Sequence, residues 1–438
     1  MRLLIKNAGI LAWKDDDFHY IPEGFLGIDG DTIDYIGFQR PALPYDEEKD
    51  MRGKLLIPGL INCHCHAAMT LLRGIGSDLP LNRWLFEAVF PVEDRMKTED
   101  FLAGNELAML EMLASGVTSF SDMYMEPRDA LIRLNEGVGM KINLTRVVQA
   151  FDPTEPPEKN FRVAESLALF DEYHGCQDGR IRVDFGVHAE YTTNDAVTRY
   201  YADRIRPYRE RGARVQLHLS ETRKEQEECI QRHGMTPAAW FEAMGIFDLP
   251  AAAAHCVWCT REDLAILKAH GVYPIHNPTS NLKLGSGFAP VVDMLKMGLT
   301  VALGTDGAAS NNNLNLFEEM HLAAVVTNGH LLDPEIMTPS TVLRMATVNG
   351  AALQGRGDTG RLAVGMKADI VAIDMDRPHL YPAFEPLPML VYAAQASDVV
   401  MTMVDGKILY ENGEYLTLDR EKAMFDAKQA VKRLYGGV

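Results

Sequence analysis

The 438-residue chain contains no run of eighteen or more apolar residues, so its length of apolar sequence excludes a membrane-spanning helix. It is also poor in positive charge. Lys and Arg number 43 against 61 Asp and Glu, and the formal net charge of −18 repels phosphate backbones and anionic lipid surfaces. No local basic patch offsets that balance, so neither nucleic acid nor a membrane is expected as a partner. Cysteine is scarce: six residues, at positions 63, 65, 176, 229, 256 and 259, follow no regular spacing. In a chain of this size they point to reduced thiols and a cytoplasmic location, not a disulfide scaffold. The amino terminus, MRLLIKNAGILAWKDDD, places Lys6 and Asn7 inside its apolar stretch and lacks a small-residue cleavage site, so a first strand is expected there and not a signal peptide. There is no low-complexity tract or simple repeat. With 47% hydrophobic and 24% charged residues, the composition is that of an ordinary globular protein.

Between residue 55 and about 310, short β-branched or apolar runs alternate with longer amphipathic stretches. Eight such runs stand out: LLIPGLINCH (55–64), GVTSFSDM (116–123), MKINLTRVV (140–148), IRVDFGVHAE (181–190), RVQLHLSE (214–221), AAAAHCVW (251–258), GVYPIHNP (271–278) and LTVALGTDG (299–307). Eight β units separated by helices predict an α/β fold closed as a (β/α)8 barrel. The ends have another texture, with short alternating strands and Asp-Gly or Asn-Gly corners. Each end alone is too short for a β core, so residues 1–57 and 360–421 are expected to pair as one composite β-sandwich beside a barrel of residues 58–359. Residues 422–438 are expected to form a terminal helix.

His64 and His66 stand two apart at the end of the first barrel strand, so both imidazoles face one way and can reach one ion. The pair alone carries little weight, since about 0.4 H-x-H triplets are expected by chance at this histidine frequency. The positions of other polar residues change that. Strand five ends in His218-Leu219-Ser220-Glu221, strand six in His255 and strand eight in Asp306. Singly these read as a capped core histidine, a helix-flanking histidine and a turn-forming Asp-Gly. In a (β/α)8 barrel, however, all lie at the carboxyl-end mouth, where active sites are built.

The segments PGLINCHCH, HLSE, AAHC and GTDGAASNN, in this order, resemble the amidohydrolase superfamily. Within it, MTLLRGIGSDLPLNRWLFEAVFPVEDR, HNPTSNLKLGSGFAPV and LGTDGAASNNNLNLFEEM are similar to the deaminases of 5′-methylthioadenosine and S-adenosylhomocysteine. The resemblance implies metal ligation by His64, His66, His218 and Asp306, and catalysis by Glu221, His255 and Asp306. It further implies Glu93 as acceptor for ribose hydroxyls, His188 near the nucleoside, and Arg146 and Arg162 as partners of an amino-acid carboxylate. Two planar guanidinium forks suit a carboxylate, although surface ion pairing is the plainer role for both. A homo-oligomer is expected, in which Arg146 serves its own site or a neighbour's.

Where the family usually has His-Thr-His, this chain has Cys65 between the histidines, and strand alternation turns that side chain away from the ligand face. Two-metal members carry a bridging carboxylated lysine at the end of strand four. IRVDFGVHAE has no lysine and places His188 there, which favours a single divalent ion, zinc most simply and iron as the alternative. The implied reaction is hydrolytic deamination of an adenine ring.

Other readings remain. His188-Ala189-Glu190 with Cys256-Val257-Trp258-Cys259 mimics the zinc site of cytidine deaminases, but His255 stands where a proline belongs. His276 either supports the site or serves its own loop. Deamination or dechlorination of another N-heterocycle (guanine, a pterin, a triazine) and a non-catalytic scaffold are the alternatives.

Overall fold

The structure is a computed structural model that describes residues 1–126, 128–152 and 154–436. The first strand, β1 (Arg2–Lys14), turns at Asp15 and Asp16, both left-handed, into antiparallel β2 (Asp17–Asp29), followed by β3 (Thr32–Gly37). β4 (Glu47–Asp50) and β5 (Lys54–Pro58) lie parallel to β1. The two polar residues that interrupt the apolar amino terminus sit at a bulge facing β4. There Lys6 Nζ bonds Glu48 at 2.9 Å and Asn7 Nδ2 bonds Asp50 at 2.8 Å.

Eight parallel strands follow in sequence order: β6 (Leu60–Cys65), β7 (Val117–Tyr124), β8 (Lys141–Val148), β9 (Ile181–Val187), β10 (Val215–Leu219), β11 (Ala251–His255), β12 (Tyr273–His276) and β13 (Ala302–Leu303). Two hydrogen bonds join the last segment to the first: Asp306 N–H donates to the His64 carbonyl at 2.9 Å, and Thr305 N–H to Asn62 Oδ1 at 3.0 Å. These bonds close the (β/α)8 barrel.

Strands β14 (Ile370–Asp374), β15 (Val399–Val404), β16 (Lys407–Glu411) and β17 (Glu414–Tyr415) complete the terminal sheet, in which β14 pairs antiparallel with β5. Both ends of the chain thus share one nine-stranded sheet around its own core, which includes Ile5, Ile10, Leu26, Leu56, Ile370, Met401 and Met403. A buried ion pair ties the sheet to the barrel floor, Lys141 Nζ lying 2.6 Å from Asp369 and 2.6 Å from Asp405. Removing one member of such a pair costs about 3–5 kcal/mol because it strands the other charge.

Two boundaries differ from the sequence expectation. The run 55–64 is two strands in two sheets, with Gly59 between them. Its N–H donates to Asp369 while that of Leu60 donates to Gly116, and a Cβ at Gly59 would fall 2.2 Å from Thr118 Oγ1, so only glycine allows the switch. The run 299–307 keeps regular pairing only at Ala302–Leu303, because the chain bends from Gly304 into a left-handed Asp306 at φ 61°. The terminal helix Arg420–Tyr435 buries Ala423, Ala427, Ala430 and Leu434, one stripe at helical spacing, and packs against the helix Thr98–Ala114. No helix among the described residues is long and apolar enough to cross a membrane.

Candidate active site

The site is built at the carboxyl ends of the barrel strands. His64 and His66 leave the same face of β6, while His218 comes from β10 and His255 from the last position of β11. Asp306 follows β13. The ring centroids of His64 lie 4.9 Å from those of both His66 and His218, and His66 Nε2 is 3.3 Å from His218 Nε2. Asp306 Oδ1 lies 3.2 Å from His66 Nε2 and 3.5 Å from His64 Nε2. Ser220, His255, Cys256 and Asp306 all have positive φ, a conformation costly for a side-chain-bearing residue, and here it aims the ends of β10, β11 and β13 inward.

The far sides of His66, His218, His255 and Asp306 are held. His66 Nδ1 meets the Met123 carbonyl, His218 Nδ1 the His188 carbonyl at 2.7 Å, and His255 Nδ1 the Asn281 side-chain oxygen at 2.8 Å. Asp306 Oδ2 accepts from Ser280 at 2.6 Å and from Ser310 at 2.7 Å. On the inner side, His64 Nε2, 3.5 Å from Asp306 Oδ1, is buried without a hydrogen-bond partner among the described residues. Burial pushes the His64 ring down to about 4, whereas Asp306 outweighs burial at His66 and lifts that ring to about 8. Burial would raise the Asp306 carboxyl, but the His64 and His66 rings overcome it and hold the group well below the usual carboxylate range. His64 and His218 are therefore neutral near pH 7, with burial again the main cause at His218, and the neutral ring is the form that ligates metals.

His64, His66 and His218 offer donor atoms within 4.8 Å of one another, as do His64, His255 and Asp306. Three imidazoles anchored at their outer nitrogens or buried without a partner, facing a carboxylate oxygen, fit a divalent cation. The Cys256 and Cys259 thiols belong to neither group. Cys65 Sγ donates to the Ser121 carbonyl at 3.4 Å, within the core and off the ligand face.

A narrow cavity opens onto this cluster, lined by His66, His188, His218, Glu221, His255 and Asp306 together with Glu93, Tyr124 and Trp84. Glu221 follows β10; its Oε2 is 3.8 Å from His255 Nε2 and its Oε1 3.5 Å from the Ser286 hydroxyl. Burial raises its pKa. Glu93 is buried, accepts from the Tyr124 hydroxyl at 2.5 Å and keeps Oε2 without a partner. Burial pushes His188 down to about 3.

Arg146 and Arg162 do not line this cavity. Arg146 donates to Glu165 at 2.7 Å and to the Met125 carbonyl. Arg162 starts the helix Phe161–Tyr173, and both guanidinium groups lie over the Phe161 ring, at 5.7 Å for Arg146 and 4.6 Å for Arg162. His276 is buried outside the catalytic cavity and borders a separate cleft with Phe288 and His330.

Several supporting groups carry no sequence signal. Asn281, Ser280 and Ser310 look like loop residues until the fold sets them against His255 and Asp306. Asp122 accepts from Ala67 N–H at 2.8 Å and pairs with the fully buried Arg128, which fixes the turn after His66.

The sequence profile of the amidohydrolase family matches residues 55–409. The chain is 43% identical to a 5-methylthioadenosine/S-adenosylhomocysteine deaminase of Thermoanaerobacter pseudethanolicus over 436 residues, 99% of each protein. It is 44% identical to a protein of the same name from Acetivibrio thermocellus over 439 residues, 99% of this chain and 100% of the relative. A crystal structure of an adenosine deaminase from Xanthomonas campestris with bound zinc superposes at TM-score 0.91 with 29% identity, covering 99% of this chain and 98% of that one. The chain belongs to the amidohydrolase family. Within that family it shares its whole length with proteins named as deaminases of adenosine derivatives.

Proposed function

We propose that the protein is a metal-dependent hydrolytic deaminase that converts the adenine of S-adenosylhomocysteine, 5′-methylthioadenosine or a related adenosine derivative to hypoxanthine and ammonia. One observation carries this reading: three imidazoles and a carboxylate face one another at the barrel mouth with Glu221 and His255 on the same cavity wall. The full-length relatives supply the substrate class.

His64, His66, His218 and Asp306 would hold one divalent ion, zinc most simply and iron as the alternative, because this donor set does not discriminate sharply. Bound there, the ion would act as a Lewis acid, lowering the pKa of a coordinated water from about 15.7 towards about 7–9. Glu221, which burial disposes to keep a proton, protonates the ring nitrogen beside the amine-bearing carbon and makes that carbon electrophilic. His255, its Nδ1 fixed by Asn281, presents Nε2 to orient the attacking water. Asp306, steadied at Oδ2 by two serines, accepts the water proton and passes it to the departing amine. The water oxygen adds to the ring carbon, the carbon–nitrogen bond breaks and ammonia leaves, and the remaining hydroxyl proton returns to Glu221 as the carbonyl of hypoxanthine forms.

Glu93 Oε2, buried and unpartnered, suits ribose hydroxyls, with His188 beside it. Arg146, bonded to the carbonyl of Met125 in the cavity wall, and Arg162, over the same Phe161 ring, would take the terminal carboxylate of a long 5′ substituent. Five buried free cysteines of six suit a reducing, cytoplasmic compartment. The switch at Gly59 supports a boundary near there between a terminal unit, proposed as 1–57 with 360–421, and a barrel, proposed as 58–359, while the terminal helix begins at Arg420, two residues before the proposed 422.

The test is ammonia release from adenosine, 5′-deoxyadenosine, 5′-methylthioadenosine, S-adenosylhomocysteine and guanine by zinc-loaded and iron-loaded protein. Turnover of the adenosine derivatives is expected. No ammonia from any of them would overturn the reading.

A further inference from the structure

Glu221 has few contacts of its own to aim it. Among the described residues its carboxylate has only Ser286 at 3.5 Å and His255 at 3.8 Å, so its direction comes from the backbone. That backbone is unusual. After β10 the chain passes through Ser220 at φ 48° before entering the helix Arg223–His233. A left-handed residue beside ordinary ones turns consecutive N–H groups to the same side, a concavity that binds anions. Here the anion comes from the chain itself: Glu225 Oε1 accepts from Ser220 N–H at 2.9 Å and Oε2 from Glu221 N–H at 2.8 Å.

Thr222-Arg223-Lys224-Glu225 reads as a plain capping box, in which the glutamate would return to the N–H of Thr222. The threonine does its part, accepting from Glu225 N–H at 3.2 Å. The glutamate, however, passes over the cap residue and takes the two N–H groups before it. Helix capping does not require this reach, and its effect falls on Glu221. The neighbouring side chain strengthens the hold: Ser220 Oγ donates to Gln226, which in turn donates to Asp263 at 3.2 Å. Glu225 is 4% exposed, so water does not substitute for the clamp.

We propose that Glu225 is the positioning residue of Glu221: its two carboxylate oxygens clamp the consecutive N–H groups of Ser220 and Glu221 and so hold the proton donor against the cavity. The inference rests on the proton-donor reading of Glu221. The chemistry is specific to a carboxylate. A glutamine of the same shape has one accepting oxygen and one NH2, so one of the two N–H groups would face another donor.

The experiment compares Glu225→Gln, Glu225→Asp, Glu221→Gln and the Glu221→Gln/Glu225→Gln double variant in the metal-loaded enzyme with 5′-methylthioadenosine. Steady-state kinetics, metal content and melting temperature are read for each. Glu225→Gln is expected to lower kcat about 10²-fold, the usual cost of misplacing a reacting group by about 1 Å, with KM and metal content near wild type. Glu225→Asp, which keeps both accepting oxygens, should recover part of the loss and decides the matter if the glutamine variant fails to fold. In the Glu221→Gln background the second substitution should cost less than about threefold, because Glu225 acts only through Glu221. Losses that multiply, a glutamine variant with wild-type kcat, or loss through metal release would overturn the proposal. A fully active Glu221→Gln would instead overturn the role of Glu221 itself.

Discussion

The proposed metal ligands and the arginine pair are held in different ways. His64, His66, His218 and Asp306 are at most 11% exposed as side chains or more deeply buried, arise on or beside strands that the barrel closes together, and are mostly anchored on their far side by carbonyls or serine hydroxyls. Arg146 also lies on a barrel strand and is buried, but it leans on Glu165, whose side chain is 45% exposed, and Arg162 shares an exposed phenyl ring with it. In the proposed reading the barrel determines where the chemistry happens, while substrate choice would rest on two arginines held partly by solvent-facing neighbours. Changes in the first region should therefore abolish turnover for every substrate, and changes in the second should sort substrates.

The largest effect is expected at Glu221. Glu221→Gln keeps shape but cannot deliver the ring proton, so kcat should fall about 10³-fold for all adenosine derivatives while metal content stays unchanged. Loss of metal in that variant would place Glu221 among the ligands and blur the contrast. Next is Arg162→Ala, expected to reduce kcat/KM for S-adenosylhomocysteine about 10-fold to 100-fold and for 5′-methylthioadenosine less than about threefold, since only the former carries a carboxylate. Equal losses for the two substrates would remove the distinction.

The smallest effect concerns pH. His188 has a folded pKa pushed by burial to about 3, below its unfolded value, so its contribution to stability is present above about pH 6.5 and is lost as the pH falls toward 3. At pH 5 that loss amounts to about 2 kcal/mol, the free energy of protonating the unfolded imidazole alone. Melting curves of metal-stripped protein between pH 7 and 5 should therefore fall more steeply for wild type than for His188→Asn. Parallel curves would show that the ring is charged in the folded state.

Much of the convergence of the candidate site was legible because strand geometry is regular. His64 and His66 share a face through the two-residue period, and His218 and His255 mark strand ends where apolar runs stop. The segments that hold these groups were not legible, because their bonds join loops distant in sequence. Asn281 reaches His255 across 26 residues and Ser280 reaches Asp306 across 26, with nothing local to distinguish them from turn formers. Glu225 was hidden by its resemblance to an ordinary cap. The eight-strand rhythm was plain, yet the division of 55–64 between two sheets depended on Thr118 filling the space beside Gly59, a contact that only the tertiary structure contains.

The most direct test of the account is the metal content of the purified wild type and of His218→Ala, each expressed with zinc or iron and then dialysed. The wild type should retain about one divalent ion per chain and the variant close to none. A wild type that holds no ion, or a variant that holds as much as the wild type, would contradict the claim that these strand ends form a single metal centre.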